Sequence, residues 1–361
     1  MDAGARKELE DRQRRREKAG AVRDRIIARG NRSFKDTGFS TASQMAGNIR
    51  GFVSTGLPVL DIVLSGRAGG GFAVARFSEL LGEADVGKTT LGCYLMRQVQ
   101  EQDGLAVVVD TEKTLSERRL AELGVDLSRL LVIEDTVIES ICDRLLLVLE
   151  ELGQTPSVIF WDTIAATRSQ RDKGRKIGES RGIGLHAQVL AQAFRVMTEP
   201  LSRSRCAMVL CNQRKQGDIG AMFANARKRD ASLGGDAVKF APAQRLKLSF
   251  SGTRKDETQS AYVVNADVLK NKVSPTRLRA CLMMRQTGTV AQFDPAESLA
   301  ETMVKWGAWA DGKVLLRVDG ERITRAQFAQ RYPLDAAFRA KVHALAEEAH
   351  DRLNARGAEA E

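Results

Sequence analysis

With 361 residues, 43% of them hydrophobic, the chain holds enough apolar material for one large core and smaller appendages. Its net charge of +10 favours a polyanionic partner, nucleic acid or an anionic membrane surface; the membrane reading loses ground because no apolar run approaches spanning length and the charged N-terminus is no signal peptide. The cysteines, Cys93, Cys142, Cys206, Cys211 and Cys281, are scattered without a C-x-x-C pair and form no metal-ligand set with His186, His343 and His350, which reads as reduced core thiols in a cytoplasmic protein.

Residues 1–33 carry eleven Lys/Arg and six Asp/Glu, half of the total positive excess. Helix formers dominate, and Gly30-Asn31 reads as the stop. Such a segment is a solvated basic helix, a partner-docking helix or a nucleic-acid arm, and composition leaves these open. From Phe52 to Ala165 strands and helices alternate. Ala75 to Leu81 reads as a strand and Thr90 to Gln100 as a helix with Leu91, Leu95 and Val99 on one face. Between them Gly82-Glu83-Ala84-Asp85-Val86-Gly87-Lys88-Thr89 fits G-x-x-x-x-G-K-[ST], the phosphate-cradling P-loop. Gly82 and Gly87 let backbone N–H groups close on phosphate oxygens, and the helix opening at Thr90 adds its positive end. Lys88 supplies a point charge and Thr89 a hydroxyl for Mg²⁺.

Further on, the pattern predicts a strand over Leu105–Asp110, a helix over Ser116–Leu123, a strand over Leu130–Ile133 and a helix over Ile138–Leu152. A strand over Ser157–Asp162, a helix over 185–199, a strand over Ala207–Asn212 and β-rich material from Leu246 to Met284 follow. From about 296 the chain turns polar and helix-prone, as in a small separate domain. Alternating strands and helices imply a mainly parallel sheet covered on both faces, with ligands at the carboxyl ends of its strands.

Three of those strand ends carry chemistry. Val158-Ile159-Phe160-Trp161-Asp162 is an apolar strand closed by a carboxylate that holds Mg²⁺ directly or through water. Glu112 lies just past Val107-Val108-Val109-Asp110, where a carboxylate activates an attacking water or, alternatively, caps the helix at Ser116. Asn212-Gln213 ends the third strand with an amide suited to sensing a γ-phosphate. The loop that follows, 214–235, is glycine-dotted and basic, with Arg214, Lys215, Arg227, Lys228 and Arg229 around the apolar patch Ile219-Gly220-Ala221-Met222-Phe223. Segment 168–184 repeats the theme with Arg168, Arg171, Lys173, Arg175, Lys176 and Arg181. Charges interleaved with apolar groups suit a nucleic-acid strand: cations take phosphates, and side chains such as Phe223 wedge or stack on bases.

In order and in combination, these elements resemble the RecA family of homologous recombinases, UvsX-type phage members included. The likeness runs from about Ser54 to Arg352, through Ser54-Thr55-Gly56-Leu57-Pro58-Val59-Leu60-Asp61, the P-loop, Asp110-Thr111-Glu112, Leu123-Gly124-Val125-Asp126 and Trp161-Asp162-Thr163-Ile164-Ala165-Ala166. It continues through Asn212-Gln213, Met222-Phe223, Gly234-Gly235-Asp236-Ala237-Val238-Lys239-Phe240, Lys270-Asn271-Lys272 and Trp306-Gly307-Ala308-Trp309.

The resemblance implies an α/β fold: a P-loop RecA-like core over 51–295 with a central, mainly parallel sheet. A basic N-terminal helix and linker over 1–50 pack on the next protomer, and 296–361 form a small α/β or helical C-terminal domain. It implies an ATP-dependent recombinase that forms helical filaments on single-stranded DNA, pairs it with duplex, and works with a single-strand-binding protein or mediator. Glu112 would be the water-activating residue, Gln213 the γ-phosphate sensor, and Lys270 and Lys272 the cations reaching ATP on the adjacent protomer. Residues 168–184 and 214–235 would be the DNA-binding loops, Ile183 and Ile219 wedging between bases and Gly234 and Gly235 letting backbone approach phosphates. Arg195 matches a DNA-contacting arginine, and Phe240 would sit at the protomer junction.

There are departures. Where the family stacks a tyrosine on adenine this chain carries Arg119, whose guanidinium also stacks on a purine. Gln188 replaces a family arginine, and Arg214 and Lys215 compete for one role because the second loop is longer. The last 41 residues, 321–361, balance seven basic against seven acidic residues, so the acidic tail of many relatives is nearly absent. The alternative reading is a RecA-core DNA motor or recombination mediator that forms rings or no filament; a third is a DNA-coating filament with a vestigial ATPase.

Overall fold

The computed structural model describes residues 3–33, 48–173, 184–213, 235–255, 260–274 and 278–359. These fall into two compact units, Met1–Asn48 and Ile49–Glu361. The first contains helix α1 (Ala3–Ser33), uninterrupted over 31 residues. It runs past Gly30 and Asn31, the expected stop, because one glycine near a helix end costs only about 1 kcal/mol. Its Arg12–Lys18 stretch is exposed, as are Val22 and Ile26.

In chain order the second unit places β1 (Phe52–Val53), α2 (Pro58–Ser65), β2 (Phe72–Ala73), β3 (Arg76–Gly82), α3 (Lys88–Gln100), β4 (Leu105–Asp110), α4 (Glu117–Glu122), β5 (Leu130–Ile133), α5 (Ile138–Leu152) and β6 (Ser157–Asp162). Then come α6 (Gln170–Lys173), α7 (Leu185–Arg203), β7 (Cys206–Gln213), α8 (Gly235–Phe240), β8 (Gln244–Lys255), β9 (Ser260–Asn271), β10 (Ala280–Thr287) and β11 (Val290–Asp294). The chain closes with α9 (Pro295–Lys305), β12 (Leu316–Val318), β13 (Glu321–Ile323), α10 (Arg325–Arg331) and α11 (Ala336–Glu359).

Nine strands form one sheet in the order β11-β10-β9-β8-β3-β7-β6-β4-β5. Strands β8, β3, β7, β6, β4 and β5 run parallel, and β9, β10 and β11 extend the sheet antiparallel. The mainly parallel α/β expectation therefore holds. Both faces are covered, which is why the central strands read as unbroken apolar runs. Successive side chains go to opposite cores: Val108, Val158 and Phe160 join one cluster, while Val107, Val109, Ile159 and Trp161 join the other. That second cluster is closed by α5 (Ile141, Leu145, Leu149, Leu152) and α7 (Leu190, Phe194, Met197, Leu201) at helical spacing.

The ends of β4, β5, α5 and β6 fall where the sequence pattern puts them. Helix α7 instead runs to Arg203, through Pro200, past the expected end at 199. Proline forfeits one ladder hydrogen bond, but burial of Met197 and Leu201 holds the last turn against Cys206 and Met208 in the same cluster. The C-terminal region opens on α9, capped by Asp294 with Pro295 at its first position, and α10 carries a capping box between Thr324 and Gln327. Leu299, Met303, Phe328, Phe338, Val342 and Ala346 join the same core cluster as α3 and β3, so this region shares a core with the sheet rather than building one of its own. All five cysteines are free and buried. Among the described residues no helix is long and apolar enough to cross a membrane.

Helix α3 lies so close to β6 that a Cβ on Gly92 would meet the Phe160 ring at 2.3 Å. Phe160 is fully buried and has nowhere to retreat. Gly92→Ala is expected to lower stability by about 1–3 kcal/mol, read as a lower denaturant midpoint at unchanged slope; an unchanged midpoint contradicts this packing.

Candidate active site

The P-loop leaves β3 at Gly82 and enters α3 at Lys88, two residues earlier than the sequence pattern suggests. A Cβ on Gly82 would lie 2.8 Å from the Leu248 carbonyl oxygen. At Gly87 φ is +89°, and a Cβ would meet the Phe293 ring at 2.6 Å. Glycine is required at both ends: steric crowding excludes a side chain at the first, and left-handed backbone plus an aromatic wall exclude one at the second. Glu83, Ala84 and Asp85 are exposed at the loop's crest, whereas Val86 is buried beneath it.

Lys88 Nζ donates to the Glu83 carbonyl, closing the loop on itself. Thr89 Oγ1 donates to Asp162 Oδ2 at 2.7 Å, joining the first turn of α3 to the end of β6. Thr90 Oγ1 donates to the Ala291 carbonyl at 3.4 Å, tying that turn to β11. At the end of β4 Asp110 is spent on local structure, accepting from the backbone N–H groups of Lys113 (2.7 Å) and Leu115 (3.2 Å). Ser116 itself caps α4 by accepting from the Arg119 N–H, so the capping alternative for Glu112 falls away. Glu112 instead accepts from Gln213 Nε2 at 3.0 Å, across the ends of β4 and β7. Its carboxyl is pushed above the usual range, first by partial burial and then by the neighbouring Asp162; Lys88 opposes the shift.

A hydroxyl knot registers these strand ends. Thr111 Oγ1 donates to the Thr163 carbonyl (2.7 Å) and accepts from the Thr163 N–H (2.8 Å), while Thr163 Oγ1 donates to the Cys211 carbonyl (2.8 Å). Sequence reasoning missed Thr111 as a positioning group. It also missed the buried Glu79, whose signal was a lone charge inside Phe77-Ser78-Glu79-Leu80-Leu81.

The structure therefore brings Lys88, Thr89, Asp162, Glu112 and Gln213 together. Arg119 lines a cavity of about 390 Å³ with Ser116, Arg118, Thr289, Val290 and Ala291, next to the Thr90 contact. Lys270 and Lys272 do not join this cluster within one chain. Lys270 Nζ donates to the carbonyls of Lys239 (2.9 Å) and Phe240 (3.0 Å) at the end of α8, and Lys272 is exposed. Arg195 is exposed on α7, Gly235 opens α8, and Phe240 is exposed at that helix's end. Arg175, Lys176, Ile183, Arg214, Lys215, Ile219, Phe223, Arg227, Lys228, Arg229 and Gly234 lie outside the described residues. The start of the first basic segment is described, with Arg168 and α6 (Gln170–Lys173) inside it, and the second begins directly after Gln213.

Comparison with known proteins finds relatives over most of the chain. The RecA N-terminal domain family matches residues 28–288. The chain is 31% identical over 264 residues to Protein RecA of Rhodopirellula baltica, covering 71% of this chain and 67% of that protein. It is 30% identical over 302 residues to the mitochondrial DNA repair protein recA homolog of Dictyostelium discoideum, covering 81% and 64%. Protein RecA of a Synechococcus species is 31% identical over 264 residues, covering 71% and 66%. The chain thus spans about two thirds of the length of these relatives.

Two outcomes are expected at this site. Lys88→Ala abolishes binding of a fluorescent ATP analogue, whereas Glu112→Gln binds it normally but turns over at least about 10²-fold more slowly. With Glu112 as the expected water-activating base, the rate falls as pH drops through its raised pKa, so the acid limb lies above that of an ordinary glutamate. Gln213→Ala removes a hydrogen bond that favours the ionised form and shifts the limb further up. An acid limb at the ordinary position would remove Glu112 from this role.

Proposed function

The chain belongs to the RecA family, and on that premise we propose that it is an ATP-dependent DNA recombinase, which coats single-stranded DNA as a helical filament and exchanges strands with a homologous duplex. The observation that carries the reading is the Gln213–Glu112 contact: the residue at the root of the basic 214–235 segment is bonded to Glu112, the carboxylate to which this reading gives activation of water. A nucleotide site and a nucleic-acid segment thereby share one residue.

The residues present fit Mg-nucleotide. The Thr89 hydroxyl and the Asp162 carboxylate, 2.7 Å apart, are the hard oxygen donors this cation takes. Among the described residues no group of three or more His, Cys, Asp or Glu could hold a metal, so this pair is of the kind that substrate phosphates and water complete. When bound, Mg²⁺ neutralises charge on the phosphates. The chain's own groups do the rest. Backbone N–H groups between Gly82 and Thr89 orient the phosphates, and Lys88 exchanges the Glu83 carbonyl for phosphate oxygen. Glu112 orients and accepts a proton from the attacking water. Gln213, on meeting the γ-phosphate, leaves Glu112 and pulls on the segment it starts. Arg119 and its cavity take the base, with a guanidinium in place of an aromatic ring.

In this reading the basic segments 168–184 and 214–235 and the exposed Arg195 bind the DNA backbone. Lys270 and Lys272 act on the neighbouring protomer's nucleotide, and α1 docks on that neighbour.

Steady-state ATP turnover with Mg²⁺, with and without single-stranded DNA, tests the proposal. Turnover rises by about tenfold or more with DNA, and the stimulation weakens steeply between 50 and 200 mM salt, as expected on the order of several phosphate contacts. Turnover indifferent to DNA would overturn the reading.

A further inference from the structure

A line of charged and polar side chains crosses the centre of the sheet. Glu79, midway along β3, is fully buried, and its carboxylate accepts from Arg245 Nε at 2.5 Å and from Asn212 Nδ2 at 2.9 Å. Strand register aligns these groups. Glu79 pairs with Arg245 on β8, Arg245 pairs with Lys270 on β9, and Asn212 sits opposite Leu81, two residues along β3 from Glu79. Alternation puts Glu79, Arg245 and Asn212 on one face, the face whose core includes Val238 of α8 and Leu190 of α7, and a register shift between Arg245 and Leu246 sets Lys270 opposite Arg245.

Both ends of the line lead to segment 214–235. At one end Asn212 Oδ1 accepts from the Gln213 N–H at 2.9 Å, and Gln213 holds Glu112. At the other, Lys270 Nζ donates to the last carbonyls of α8, the helix that the segment runs into. The Lys270 ammonium is depressed, mainly by burial and then by the neighbouring cations Lys272 and Arg245, so it sits under electrostatic load from the same line. A buried ion pair is weak evidence for stability, since apolar residues of similar volume would serve the core as well or better. A positional role accounts for charge here.

Resting on the recombinase reading, we propose that Glu79 and Arg245 are positioning residues that clamp the two ends of segment 214–235. Occupancy of the segment by a DNA strand is thereby transmitted through Asn212 and Gln213 to the water-activating Glu112. Neither is among the residues this reading gives to nucleotide or DNA. The Arg245 and Glu79 side chains are 11% and 0% exposed, so the coupling runs through packed neighbouring strands.

The test compares Glu79→Gln, Arg245→Met and the double variant Glu79→Leu/Arg245→Met, which removes the pair as an apolar replacement. For each, ATP turnover is measured with and without single-stranded DNA, with affinity for an ATP analogue and thermal midpoint recorded alongside. The proposal expects the DNA stimulation of the double variant to drop by about tenfold, with analogue affinity within about twofold of the parent. The single variants are expected to lose stimulation to a similar degree, without additivity. If Glu79→Gln fails to fold, the double variant decides. A folded double variant stimulated as strongly as the parent would overturn the coupling role and leave the pair purely structural. A parent chain without DNA stimulation would instead overturn the recombinase reading itself, so the two failures are distinguishable.

Discussion

Strand β3 has a hydrogen-bonded neighbour on each edge and a hydrophobic core on each face, and every group of the candidate site is positioned relative to it. Burial of Leu80 and Leu81 on opposite faces fixes where the strand ends. The chain then has to turn at Gly82 in a space where a side chain would collide with β8. That turn aims the N-terminus of α3 at the carboxyl ends of β4, β6 and β7. A loop of P-loop pattern, the Thr89–Asp162 hydroxyl–carboxylate pair and the carboxylate proposed to activate water thus gather at one crowded strand exit.

The same strand ends lead into the two basic segments. Strands β6 and β7 are adjacent and parallel, so the segments leaving them emerge on the same side of the sheet. One basic segment would be an ordinary solvated loop. Two from neighbouring strands, the second starting after a residue already bonded to Glu112, are what the proposed link between nucleic acid and nucleotide rests on. The positive excess of the chain fits this arrangement, though half of it lies in residues 1–33, outside the sheet-bearing unit.

Much of this was legible in the residues themselves. Parallel strands buried on both faces appear as Leu-Ala-Val-Val-Val-Asp or Ser-Val-Ile-Phe-Trp-Asp, and the closing acid marks the ligand end; β4 and β6 have those ends. The amphipathic stripe of α5 set its limits equally well. Long-range pairings were not legible. Arg245 lies 166 residues from Glu79, and no local pattern announces that the two meet. Lys270 looked like a cation held for a neighbouring protomer, yet within its own chain it caps α8. The helix expected to end at 199 runs on through Pro200, and tertiary burial of Leu201 holds its last turn. The separate C-terminal domain suggested by composition shares the sheet's core, because composition reports polarity and not which surfaces meet.

The central claim is that nucleotide binding at this site assembles the chain on single-stranded DNA. Electron microscopy of the protein with a slowly hydrolysed ATP analogue and Mg²⁺, with and without single-stranded DNA, tests it most directly. The account predicts regular helical filaments along the DNA that require the nucleotide. Closed rings, or particles indifferent to DNA and nucleotide, would contradict it.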